Sequence, residues 1–302
     1  MTSLKYSGEV SPGKKAVFQV MSGASAGFLE VCINQPLDVV KTRLQLQAKP
    51  GSSGPTYSGL LDCVSKTYRQ EGITAFWKGI VPPIIAETPK RAVKFLVFEQ
   101  TRHYYQFGSK TPTSTSYSLA GITAGIVEGV VVNPFEVVKV AQQMNRGRNS
   151  LAILEARDIV RRHGFGRRGL MRGVTATICR SSTFNAAFFG LYHTVKTRMP
   201  KPENGPYDVL WRIATGFTAG VFGCLLNTPF DVAKSHIQGP QPVANEFKYE
   251  HTWRTLNIIY REEGFLALYK GLLPKIMRLG PGGAIMLVTF EFVYEYLVEH
   301  YA

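Results

Sequence analysis

The sequence predicts an all-helical membrane protein built from three related units, each with two spanning helices and a short helix between them. Three observations carry that expectation: long runs without charge, a low overall charge density, and a proline-centred motif that returns three times. Residues 111–127 and 213–230 contain no Asp, Glu, Lys or Arg, and the second run, eighteen residues long, just reaches bilayer-spanning length. Charged residues make up 19% of the 302, against roughly 25% in soluble domains. Aromatics at 12% and apolar residues at 45% exclude an intrinsically disordered chain.

The formal charge of +14 raises the question of nucleic acid. Its Lys and Arg cluster between apolar segments instead of forming one exposed stripe, so no nucleic-acid partner is expected. A mean hydropathy of −0.03 is low for purely lipid-facing spans and fits helices that turn one face to a water-filled cavity. Cys32, Cys63, Cys179 and Cys224 are widely separated and form no CxxC, so reduced packing residues are expected. The six histidines show no zinc-like spacing, so no metal is expected. The N-terminal stretch lacks an apolar signal core and arginine, so no cleavable targeting segment is expected.

Taken in order, the first unit opens with a span near 15–45 that contains Pro36-Leu-Asp38-Val-Val-Lys41. The same pattern returns in a span near 115–142 as Pro134-Phe-Glu136-Val-Val-Lys139, and near 210–237 as Pro229-Phe-Asp231-Val-Ala-Lys234. The intervals are 98 and 95 residues, and a glutamine stands nine past each proline: Gln45, Gln143 and Gln238. Small-xxx-small pairs precede each proline at Gly23/Gly27, Gly121/Gly125 and Gly216/Gly220. Each unit continues into a long basic connection with a short helix. Glu71-Gly72…Trp77-Lys78-Gly79 is matched by Glu263-Gly264…Tyr269-Lys270-Gly271 and, less clearly, by Phe165-Gly166…Met171-Arg172-Gly173. Second spans follow near 79–105, 173–197 and 272–298, giving units at 1–108, 109–204 and 205–302. The long connections are expected to share one compartment.

Proline removes a backbone hydrogen bond and bends a helix, so each odd span should turn its end toward a common axis. The acid and the lysine of each motif lie three apart, on one helical face. Three such ends brought together form a ring of three acids and three lysines. Its net stability should be small, because desolvation offsets most of the Coulomb gain.

The triple PxD/ExxK…Q pattern resembles the mitochondrial carrier family and covers nearly the whole chain. Residues 86–95, 133–139, 239–243 and 270–283 resemble, more narrowly, its 2-oxodicarboxylate carriers. The resemblance implies a threefold pseudosymmetric barrel of six spanning helices with three short matrix helices, multi-pass in the mitochondrial inner membrane and opening alternately to either side. It pairs Asp38 with Lys139, Glu136 with Lys234 and Asp231 with Lys41 as a matrix gate braced by Gln45, Gln143 and Gln238. It also implies a cytoplasmic gate of pattern [FY][DE]xx[KR], here Glu99 and Arg102, His193 and Lys196, Glu291 and Tyr294. Histidine and tyrosine replace one acid and one base, leaving Glu99–Lys196 and Glu291–Arg102 as ion pairs and His193–Tyr294 as a hydrogen bond at most.

Seven residues past Gly79, Gly173 and Gly271 stand Ala86, Arg180 and Arg278, matching the family's contact points for substrate. Two guanidiniums inside a cavity are costly unless they meet anions, and their planar forks suit carboxylates. Ser181 could donate to a keto or carboxylate oxygen. Glu87, Lys90, Arg91 and Lys94 share one face of the second span, so Lys90 or Arg91 is a candidate third cation. Glu30 and Glu128, six before their prolines, are candidate partners of the cavity arginines, candidates for proton coupling, or packing residues. The function expected is exchange of 2-oxodicarboxylates, 2-oxoadipate for 2-oxoglutarate, by a monomer that is not an enzyme and holds no cofactor. The alternatives are another small di- or tricarboxylate, an amino acid, or a non-transporting scaffold of the same fold. Cardiolipin is the expected lipid, at helix starts such as Tyr57-Ser-Gly59, Trp77-Lys-Gly79 and Tyr269-Lys-Gly271.

Overall fold

The structure, a computed structural model, describes residues 12–47, 56–106, 113–144, 151–198, 206–241 and 248–301. Among them there is no strand. Six long helices, α1 (Pro12–Gln45), α3 (Val81–Tyr104), α4 (Ser114–Met144), α6 (Val174–Arg198), α7 (Pro206–Gln238) and α9 (Leu272–Tyr301), alternate with short ones, α2 (Leu60–Glu71), α5 (Ala152–His163) and α8 (Thr252–Glu263). Two single 3-10 turns, Ile73–Trp77 and Phe265–Tyr269, follow α2 and α8. By length and composition α1, α4, α7 and α9 hold segments apolar enough to cross a membrane. α3 carries six charged residues in its 24 and α6 is interrupted by Arg180 and polar residues; Lys90 and Arg180 are only partly exposed, while Phe95 and Leu96 lie on the outside.

The long helices close into a ring in which α1 meets α9 and α3, α4 meets α3 and α6, and α7 meets α6 and α9. The seams differ. A Cβ on Gly121 would lie 2.7 Å from the Asn185 carbonyl oxygen, so only glycine lets α4 and α6 approach so closely. At the matching positions Gly23 and Gly216 no atom lies within 4 Å. The prolines Pro36, Pro134 and Pro229 sit inside helices that run on past them.

Each short helix lies across the end of the preceding long one because its apolar residues recur at helical spacing. Leu60, Cys63 and Val64 of α2 pack on Val40 and Leu44, and Ala152, Ala156, Ile159 and Val160 of α5 pack on Val137 and Val138. In the third unit Ile259 packs with Val232 and Ile237. All three short helices end on a glycine with positive φ, Gly72 at 79°, Gly164 at 72° and Gly264 at 85°, whose N–H returns to the carbonyl four residues back. The counterpart of Glu71-Gly72 in the middle unit is therefore His163-Gly164, not Phe165-Gly166. A two-residue insertion before Gly173 displaced the expected match. None of the four cysteines is disulfide-bonded.

Candidate functional site

At one end of the barrel the three motif acids meet the three motif lysines in cyclic order. Lys139 Nζ stands 2.6 Å from Asp38 Oδ2, Lys234 Nζ 2.6 Å from Glu136 Oε2, and Lys41 Nζ 2.5 Å from Asp231 Oδ2. Glycines at the start of the even helices make this possible. Gly79, Gly173 and Gly271, at φ of 70°, 70° and 79°, nest against Lys139 and Gln143, Ile237 and Gln238, and Lys41 and Gln45. Each unit thus seats the end of the next unit's odd helix at contact distance.

The glutamines brace differently from the expectation. Gln45 Nε2 donates to the Lys270 carbonyl (3.2 Å) while its Oε1 accepts from Ser235, and Gln238 Nε2 donates to Asn133 Oδ1 (3.0 Å) and the Arg172 carbonyl. They fasten odd-helix ends to the turn before the even helices, not to the ion pairs. Gln143 makes no hydrogen bond among the described residues; Gln35 already occupies the equivalent Lys78 carbonyl at 2.9 Å.

Above the ring lies a cavity of about 280 Å³ lined by all six long helices. Arg278 Nη1 reaches down to Asp38 Oδ1 at 2.6 Å. Arg180 Nη2 donates to Glu136 Oε1 (3.2 Å) and to the buried Ser181 Oγ (3.1 Å), and its Nε lies 3.8 Å from Asp231. Lys275, which the sequence reading missed, stands 2.9 Å from Asp231 and also donates to Asn227. Its counterparts four past the other glycines are Pro83 and Thr177, so the same search for broken symmetry, applied one turn earlier, would have found it.

Of the two candidates on α3, Lys90 lines the cavity and Arg91 does not. Arg91 is consumed by Glu30 (2.5 Å), Glu87 (2.6 Å) and the Met286 sulfur, tying α1, α3 and α9 together. Lys90 lies a looser 3.3 Å from Glu87. Glu30 thus partners Arg91 and not Arg180 or Arg278, and Glu128, 4% exposed, accepts from Asn185 Nδ2 at 2.9 Å. Eight cationic and six anionic side chains line the cavity.

At the opposite end Glu291–Arg102 and His193–Tyr294 are not formed among the described residues, and the expected Glu99–Lys196 pair involves a side chain outside them. Glu99 pairs with Arg102 one turn along its own helix. His193 Nδ1 bonds Ser114 Oγ (3.1 Å) and stacks on Tyr117, while Tyr294 stacks on Phe290. Glu291 has no ion pair among the described residues, and the side chain of Lys196 lies outside them. With the acid–lysine ring closed, open space remains beside Gly23 and Gly216, and Glu99 takes its partner one turn along its own helix.

Outside the spans, burial raises the Glu71 carboxyl, but the fork from Arg43 (2.7 and 3.0 Å) and Lys78 (2.9 Å) more than offset it and hold it below the usual carboxylate range. Among the described residues Glu263 keeps only the lysine, Lys270 at 2.6 Å, and His236 stands at Arg43's position.

Sequence comparison agrees with this geometry. The profile of the family described as Mitochondrial carrier protein matches residues 13–109, 110–203 and 206–301. The mitochondrial 2-oxodicarboxylate carrier of Homo sapiens is 47% identical over 97% of this chain and 98% of its own length, and that of Rattus norvegicus 47% over 94% and 95%. Mitochondrial citrate transporter D of Aspergillus niger is 38% identical over 92% and 93%. Three matched repeats, a sixfold helical ring and a cyclic set of ion pairs across it converge: the chain belongs to the mitochondrial carrier family, as a multi-pass transport protein of the inner membrane and not an enzyme.

Proposed function

We propose that the chain exchanges 2-oxodicarboxylates, 2-oxoadipate against 2-oxoglutarate, by alternating access. The observation that carries this reading is the hold of Arg278 and Arg180 on the ring acids Asp38 and Glu136. A dianion entering the cavity offers these guanidiniums carboxylates of its own, and each one drawn away leaves a ring acid with one cation fewer. The loaded ring is then easier to open than the empty one, which favours exchange over net flow. The excess of two cationic over anionic lining groups matches two carboxylates. Identity to carriers named for 2-oxodicarboxylates supports the substrate class.

The ring acts as the matrix gate in this reading, and Glu99, Arg102, His193, Lys196, Glu291 and Tyr294 are proposed to regroup as the cytoplasmic gate once the ring opens. One chain closes the helical ring, so a monomer suffices. Lipid phosphate, with cardiolipin the expected source, would sit at the starts of α2, α3 and α9, beside Tyr57-Ser-Gly59, Trp77-Lys-Gly79 and Tyr269-Lys-Gly271.

Liposomes preloaded with 2-oxoadipate should take up labelled 2-oxoglutarate, while empty ones should not. Uptake indifferent to the internal load would overturn exchange. A second reading, citrate or another tricarboxylate, is favoured by the Aspergillus niger relative. Competition by citrate stronger than by 2-oxoadipate would select it.

A further inference from the structure

Every cation lining the cavity has a carboxylate within hydrogen-bonding distance, with one exception. The three ring lysines have theirs, as do Lys90, Lys275, Arg180 and Arg278. Lys94 has no ion pair and no hydrogen bond among the described residues. Its ammonium lies instead over aromatic rings, 5.6 Å from the centroid of Phe189 on α6 and 5.8 Å from that of Phe95. Such a contact holds a cation in place without neutralising it.

The position is asymmetric among the units. Fifteen past Gly79, Gly173 and Gly271 stand Lys94, Phe188 and Met286, and four residues earlier stand Lys90, Phe184 and Gly282. On α3 these are two lysines on one face. On α6 they are two aromatics, stacked at 5.8 Å and continued by Tyr192 at 6.1 Å. Glu87 of α3 and Glu128 of α4 are the acids nearest both lysines; Glu87 pairs with Lys90 and Arg91, and the Glu128 carboxylate bonds Asn185. Lys94 lies one turn, about 6 Å, beyond Lys90 on the side away from the ring.

We infer that Lys94 is a positioning residue for substrate entry, the uncommitted cation that takes a carboxylate of an incoming dianion and passes it to Lys90. The inference rests on the dicarboxylate reading above. At Lys94 an anion displaces no protein carboxylate, whereas at Arg180, Arg278 and Lys275 it competes with Asp38, Glu136 or Asp231. The α6 ring facing Lys94, Phe189, offers no second charge, so the anion is kept on the lysine side as it descends. Entry is therefore governed by one charge near the open end, and transport by the committed charges below.

The test is the initial rate of exchange in preloaded liposomes for wild type, Lys94→Gln, Lys94→Met and Lys94→Arg, as a function of external 2-oxoglutarate and salt. The neutral variants should raise the half-saturating concentration about tenfold at low salt, as expected for one lost charge-assisted contact, with maximal rate nearly unchanged. The gap should narrow as salt screens the charge, and the arginine variant should restore wild-type behaviour. Met keeps the contact with Phe189, so a fall shared by both neutral variants is not a packing effect. Wild-type exchange with unaltered half-saturation in both neutral variants would overturn the inference alone, as would a loss of maximal rate without a change in half-saturation. Failure of wild type to exchange any 2-oxodicarboxylate would overturn the substrate reading and this inference with it.

Discussion

Arg278 and Lys139 hold the two oxygens of one carboxylate, Asp38, each at 2.6 Å. The cavity and the gate are thereby joined at a single side chain: what binds the arginine alters the acid, and the acid alters the lysine of the next unit. The same construction recurs at Glu136, shared by Arg180 and Lys234, whereas at Asp231 Lys41 and Lys275 share one oxygen, Oδ2.

Arg278→Ala and Arg180→Ala should each abolish exchange while the protein stays folded. Removing one partner of a desolvated charge pair costs about 2–5 kcal/mol, and here the loss falls both on substrate and on a ring acid. Arg278→Lys should recover only part, because a lysine lacks the fork. Uptake at saturating and subsaturating substrate separates these outcomes, and normal uptake by either alanine variant would place the binding site elsewhere.

Reversing Asp38 to Lys should stop transport, since the new ammonium would face Lys139 and Arg278 together. Adding Lys139→Asp should restore a fraction, and the shared carboxylate explains why not all: Arg278 still meets a lysine. Further replacement of Arg278 cannot help, because that arginine is needed for substrate. A double variant no better than the worse single one would show that the Asp38–Lys139 pair does not act as a unit.

The ring is readable from sequence because three copies at near-constant interval fix the register of each acid and lysine, while the pairing within it is what the family resemblance implies. Arg180 and Arg278 followed from one count beyond invariant glycines. Lys275 lies one helical turn before that contact point, where the other units carry Pro83 and Thr177, so the count to seven passes over it. Lys90 and Arg91 are neighbours about 100° apart on a helix; choosing between them required knowing that Glu30 of α1 and Met286 of α9 lie across from Arg91, which no local pattern contains. The far-end pairs fail for another reason. A sequence encodes the partners of every state at once, while this structure has the ring closed and Glu99 bonded within its own helix. The middle short helix was misregistered because a two-residue insertion is invisible to spacing.

The Glu71 site should set the acid limit of stability in the first unit. With its carboxyl held below the usual range, Glu71 stabilises the folded protein above about pH 4.3, the ordinary value, and that contribution is lost as pH falls through the depressed one. Arg43, 2% exposed, leaves a buried acid behind if removed. Arg43→Leu should therefore cost about 3–5 kcal/mol at neutral pH, and Glu71→Gln should narrow the difference from wild type as pH falls. Glu263→Gln should cost less, as Glu263 has no arginine partner. Thermal unfolding of the detergent-solubilised protein between pH 3 and 7 measures all three.

The unequal seams make a last prediction that separates folding from transport. At Gly121 an added methyl would lie 2.7 Å from a backbone oxygen of α6, which cannot move aside cheaply, so Gly121→Ala should destabilise by about 1–3 kcal/mol. Gly23 occupies the same place in the first unit but faces no atom within 4 Å. There alanine relieves a mid-helix glycine, and Gly23→Ala should leave unfolding unchanged or raise stability by up to about 1 kcal/mol. If α1 and α3 must come together at that end when the ring opens, the methyl will obstruct the closed seam. Gly23→Ala should then slow exchange in a protein at least as stable as wild type. Equal exchange by Gly23→Ala and wild type would mean that this seam stays open throughout the cycle.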